Sequence, residues 1–177
     1  NIFELYNENA TREKIVEILG GDLADSREVG QEDRVFFFFA GHGMTRKLPS
    51  GKDLGYLVPH DAEVDRFQTR SISMTQLNEF SDLIHAKHIY YIMDSCYSGL
   101  AMLTRSGVSR SSDQNWLVNI TKRHARQILT AGGADQQVVD GGSGGHSVFT
   151  SALLRGLEGD ADQDRNGYLT ASELGVF

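Results

Sequence analysis

Residues 88–100 read HIYYIMDSCYSGL, and the fold turns on how that stretch is taken. Ile89 to Met93 is an unbroken apolar run, too short for a helix and bounded by Asp94, Ser95, Ser98 and Gly99. It reads as a buried strand. The chain's single cysteine, Cys96, stands where that strand should be ending, whereas a structural cysteine would be expected inside the run, where it could pack.

Residues 33–43, DRVFFFFAGHG, repeat the pattern: Val35 to Ala40 is continuously apolar or aromatic, and His42 follows between two glycines. A strand covered on both faces belongs in a parallel sheet with helices on either side. An exposed VFFFF would invite aggregation, so burial of both its faces is expected. RQILTAGG (126–133) reads as a third such strand.

Helical patterns lie between and after the strands. ATREKIVEILGGDLAD (10–25) spaces Ile15, Ile18, Leu19 and Leu23 along one face. SMTQLNEFSDLIHAK (73–87) opens with a capping box, Ser73 and Gln76, and carries Leu77, Phe80 and Ile84. WLVNITKRHA (116–125) and HSVFTSALLRGLEG (146–159) complete the set. NIFELYNEN (1–9) reads as a short strand, and residues 43–72 as a long irregular loop with a short strand at GYLVP. TRSGVSRSSDQN (104–115) and DGGSGG (140–145) read as exposed loops. The alternation predicts an α/β fold, a three-layer sandwich with a mostly parallel central sheet.

Open sheets of this kind carry their chemistry at the carboxyl ends of the strands. A right-handed crossover through the helix at 73–87 makes the two aromatic strands neighbours, which brings His42 and Cys96 to one sheet edge. A thiol with pKa near ~8.5 is mostly protonated at neutral pH, and an adjacent imidazole can take its proton or hold the thiolate as an ion pair. The glycines around His42 allow a sharp turn and leave the Gly43 N–H, with that of Cys96, available to a developing oxyanion. The competing reading is a buried cysteine and an unrelated histidine.

Bulk properties narrow the classes. The 177 residues, 40% hydrophobic and 23% charged, suit one core. A net charge of -7 without a Lys/Arg cluster argues against a nucleic-acid surface. One cysteine excludes an internal disulfide, and no apolar run reaches membrane-spanning length. With no signal-like opening segment, a cytoplasmic location is the default reading.

FFFFAGHG and YYIMDSCYSG resemble the histidine and cysteine motifs of the caspase fold, in particular its metacaspase and bacterial orthocaspase branch. GYLVPHDA, QILTAGGADQ and HSVFTSALLRGL resemble that branch in order and spacing, and the upstream histidine lies at a caspase-like distance. The cysteine context DSCYS departs from the QACRG of true caspases. The resemblance implies a cysteine endopeptidase in which Asp94, two residues before the cysteine, lines the pocket for the side chain preceding the cut bond. An anionic pocket favours Arg or Lys. The plainer role for Asp94 is to cap the turn after its strand, and the two can coexist. The resemblance also implies a strand, a helix and a further acidic pocket residue ahead of residue 1. The caspase-like domain, residues 1–159, is therefore expected to lack its N-terminal strand, leaving an uncovered sheet edge; Asp61 in PHDA reads as structural. Related proteases cut themselves between their two halves, which makes Arg105 or Arg110 in the exposed loop a candidate processing site; a simple solvated loop is the alternative.

Residues 162–173, DQDRNGYLTASE, fit an EF-hand calcium loop without a gap. Asp162, Asp164 and Asn166 would supply side-chain oxygens, Tyr168 its carbonyl, Thr170 the often water-bridged position and Glu173 a bidentate carboxylate, with Gly167 at the sharp turn. Residues 160–177 thus read as a calcium loop and the start of its exiting helix, against an acidic helix–loop junction with no metal. Magnesium would sit poorly in a loop built for more ligands. No organic cofactor is indicated. The leading function is cleavage of protein or peptide chains after basic residues. The alternatives are a catalytically silent caspase-like calcium-binding regulatory or scaffold module, and a caspase-fold peptidase preferring Asp or Asn.

Overall fold

The computed structural model describes residues 1–95, 124–131 and 143–177. Its centre is a parallel sheet in the order β1–β5–β6, formed by Arg34–Ala40, His88–Asp94 and Ala125–Thr130. These are the three strands expected from the apolar runs. β1 and β5 pair in parallel with a constant offset of 54, from Arg34↔His88 to Ala40↔Asp94. The helix α3 (Met74–Leu83) precedes β5, and its Ser73 capping box is complete in both directions.

Side chains of β5 alternate between two cores, as the pleat requires. Ile89, Tyr91 and Met93 join Ile15 and Leu19 of the N-terminal helical segment, with Leu77 and Ile84 from α3 and its end. That segment is α1 (Arg12–Glu17) continued by a wider helical turn over Ile18–Asp22. Ile92 faces the other way, toward Leu153, Ala161 and Leu174. These come from α4 (Val148–Arg155), the segment after it and α5 (Ala171–Val176). The result is the three-layer arrangement, helices on both sides of one sheet. Arg126 in β6 closes the end of α3, donating to the carbonyls of Ser81 and Ile84 at 3.3 Å and of Lys87 at 2.8 Å.

The structure corrects three sequence expectations. β1 is not covered on both faces: Val35 is buried, but Phe36 is 50% and Phe38 42% exposed. β1 is an edge strand among the described residues, while the second core gathers around Ile92 of β5 and Leu129 of β6. Phe36 meets Tyr90 edge-on at 6.0 Å. Residues 1–6 form no strand, with Asn1 donating to Glu28 and no strand partner among the described residues. Residues 43–72 hold the short strand expected at GYLVP, within Asp53–Val58, but the rest is not an irregular loop. His42–Lys47 (β2) and Asp53–Val58 (β3) form an antiparallel hairpin, and Ile72–Ser73 (β4) adds a third strand after the short helix α2 (Phe67–Arg70). The hairpin turn has Pro49 and Gly51, the latter at φ +81 with its N–H on the Leu48 carbonyl. Asp61 has the structural role expected of it, accepting from the Arg12 N–H at 2.8 Å.

Gly156, just past α4, tests how tightly the second core is built. Its backbone is helical, so alanine would be favoured by propensity alone. A Cβ there would lie 2.6 Å from Leu174 Cδ1 and 3.2 Å from the Phe177 ring. Leu174 is buried with Ile92, Leu153 and Ala161, so its displacement would disturb that core. Gly156→Ala is therefore expected to destabilise by about 1–3 kcal/mol, read as a lower denaturant midpoint at unchanged slope.

Candidate functional site

β1 delivers its chain to the site through Gly41, whose N–H donates to the Asp94 carbonyl at 3.2 Å and extends the β1–β5 ladder one step. A Cβ at position 41 would lie 3.0 Å from the tip of the Phe39 ring, so any larger residue at this turn out of the sheet would have to displace that ring. His42 then opens β2, exposed, and Gly43 follows it opposite Leu57.

A cleft of about 430 Å³ opens at this end of the sheet, lined by His42, Gly43, Asp94, Ser95, His146, Ser147 and Thr150 among others. It thus brings His42, Gly43 and Asp94 of the expected set together. Cys96, one residue beyond Ser95 in sequence, lies outside the described residues, as do Arg105 and Arg110.

Asp94 is held by two hydroxyls of the cleft. Ser147 Oγ and Thr150 Oγ1 each donate to its Oδ2 at 2.5 Å. Ser147 is also the N-cap of α4, accepting from the Thr150 N–H at 2.9 Å, and its carbonyl accepts from Ser151 Oγ. The end of β5 is thereby fastened to the start of α4. Among the described residues, Asp94 Oδ1 is buried and accepts no hydrogen bond, and the Oγ of buried Ser95 is also without a partner. A shielded carboxylate oxygen without a donor is costly and marks a place where a donor belongs.

Ser147, Thr150 and His146 were not singled out from the sequence. Only Ser147 carried a readable signal, since a serine just ahead of an apolar helical run marks an N-cap. Nothing local in the sequence announces that the same hydroxyls reach Asp94, 53 and 56 residues away.

At the far end of α4 the acidic loop is folded into a turn. Asp162 accepts from the N–H groups of Asn166 and Gly167, at 3.2 and 2.9 Å, and Gly167 has φ +80. Carboxylate oxygens of Asp162, Asp164 and Glu173 lie within 4.8 Å of one another. Tyr168 N–H donates to Asn166 Oδ1, and Thr170 forms a capping box with Glu173 that starts α5. Ala161 and Leu174, on either side of this loop, are both buried in the core shared with Ile92.

A family model described as the caspase domain matches residues 3–173. A search of curated proteins returns no match. Among solved structures, a crystal structure of a protein from Geobacter sulfurreducens is similar, with TM-score 0.55 and 17% sequence identity. The likeness covers 87% of this chain and 64% of that one, so it is a likeness of fold.

Proposed function

The chain belongs to the caspase-domain family of cysteine peptidases, and from that premise we propose that it is an endopeptidase cutting after Arg or Lys through Cys96 and His42. The observation that carries the basic preference is the shielded, unpartnered Oδ1 of Asp94 in the cleft that also holds His42. A cationic side chain supplies the donor that oxygen lacks, with a charge-assisted hydrogen bond. A pocket for Asp would need basic residues, and the described lining offers none beyond histidine.

In the proposed reaction the Cys96 thiolate attacks the scissile carbonyl carbon, with His42 having taken the thiol proton. The amides of Gly43 and Cys96 receive the oxyanion. His42 returns its proton to the leaving amine as the C–N bond breaks, and water then hydrolyses the thioester. The test is a matched peptide panel differing only in the residue before the cut. Arg and Lys peptides should be cleaved and Asp and Asn peptides spared; the reverse order would overturn the assignment.

The donor set at 162–173 fits calcium: three convergent carboxylates, Asn166, the Tyr168 carbonyl and the Thr170 position, all oxygens around a left-handed glycine turn. We extend the proposal to calcium binding there, which adds a hard cation between the end of α4 and α5. At a hundredfold excess over Kd the ion should stabilise the fold by about 2.7 kcal/mol, a rise in Tm of roughly 5–10 °C. Glu173→Gln, which preserves the capping box, should lose that rise; magnesium should give far less.

The basic preference makes Arg105 or Arg110 a substrate of the enzyme itself. An internal cut at one of them should appear in the wild type and be missing from Cys96→Ala. A cut that persists in Cys96→Ala belongs to another protease.

A further inference from the structure

The cleft contains a second specificity device, which rests on the reading of Asp94 as the carboxylate that meets the substrate. A carboxylate offers about four lone-pair positions, two on each oxygen. Ser147 and Thr150 both donate to the same oxygen, Oδ2, at 2.5 Å. That oxygen is saturated, and Oδ1 alone is left to accept. An arginine fork bonds a carboxylate most strongly with two parallel N–H groups, one to each oxygen. Here the second arm of the fork finds its acceptor already taken.

We propose that Ser147 and Thr150 are positioning residues that restrict Asp94 to single-point recognition of a cation, so that a lysine ammonium is met as well as one arm of an arginine guanidinium. Ser147 is fixed in this role by its place as N-cap of α4, and Thr150 by lying one turn further along the same helix. The two hydroxyls cannot turn away together without exposing the α4 N-terminus and releasing the end of β5. Because Oδ1 is shielded, admission of the cation requires a movement of side-chain size.

The experiment compares kcat/KM for paired Arg and Lys peptides on the wild type, Thr150→Val, Thr150→Ser, Ser147→Gly and Asp94→Asn. The wild type should take the two peptides within about tenfold of each other. Thr150→Val keeps the shape but frees one position on Oδ2, and should raise the Arg-to-Lys ratio by about tenfold, the scale of one charge-assisted hydrogen bond. Ser147→Gly, a mild change at an N-cap, should move the ratio the same way by the other hydroxyl. Thr150→Ser restores the donor and should restore the wild-type ratio, which a purely structural role for Thr150 would leave unaffected throughout. A ratio unchanged in both hydroxyl-free variants, or a wild type already favouring Arg by more than about a hundredfold, overturns the inference while Asp94→Asn still loses both peptides. If Asp94→Asn cleaves both as well as the wild type, the pocket reading itself fails and the inference falls with it.

Discussion

Cys96→Ala should show no cleavage of an Arg peptide, a loss of at least roughly 10⁴-fold, and His42→Ala a loss of about 10²–10⁴-fold. The register of the sheet is the reason for pairing these two positions. Every residue of β1 sits beside the residue 54 further on in β5, through Ala40↔Asp94. His42 and Cys96 are separated by the same 54 residues and follow those last partners by two positions each. A nucleophile and a base act as one unit, so the double variant should be no worse than Cys96→Ala alone. A structural cause predicts something different, namely a lowered Tm that tracks the loss of activity. His42 is exposed, so its removal should leave Tm within a couple of degrees, about the effect of an ordinary surface change. The cleft supplies its own control, because His146 lines it too. His146 follows Gly144 and Gly145, both at positive φ, whereas His42 leaves a strand locked in register. Activity that survives His42→Ala and dies in His146→Ala would move the base to the second histidine.

The sequence was most readable where one physical rule decided the outcome. HIYYIMD and RQILT could be strands and little else, because a short apolar run has to pair and be covered, and both lie in the sheet as expected. The capping box at Ser73 is local chemistry and holds in full. VFFFF misled for the same reason it was persuasive. Apolar character shows that a strand belongs in the sheet, but not whether it ends up at the centre or the edge, and Phe36 and Phe38 are half exposed. The hairpin of β2 and β3 was missed because HGMTRK has no alternation to report; its pairing comes from the turn at Pro49–Gly51 and from buried Leu57 on the opposite strand. At the site, Asp94 was named only through the resemblance, which gives a role to the residue two before the cysteine. Its partners could not, since hydroxyls 53 and 56 residues away become neighbours only after α4 packs beneath β5.

Asp94→Asn is expected to lower kcat/KM for Arg and Lys peptides by roughly 10²- to 4 × 10³-fold while leaving the protein folded. The size follows from removing one partner of a shielded ion pair, which costs about 3–5 kcal/mol, each 1.4 kcal/mol being tenfold. The fold should survive because an asparagine amide oxygen can still accept from Ser147 and Thr150, preserving the tie between β5 and α4. The plainer role, Asp94 as a cap for the turn after its strand, makes the opposite forecast: stability falls and the Arg preference stays. Asp94→Ala separates the two further, since it deletes the acceptor as well as the charge and strands two hydroxyls beside the cleft. It should lose substrate preference like Asp94→Asn and, in addition, about 1–3 kcal/mol of stability. If Asp94→Asn and Asp94→Ala are equally unstable and both still select Arg and Lys, the carboxylate serves the scaffold, and the basic side chain is recognised elsewhere. If charge removal alone abolishes the preference, with Ser147 and Thr150 still held by the amide, then the end of β5 is where this cleft reads its substrate.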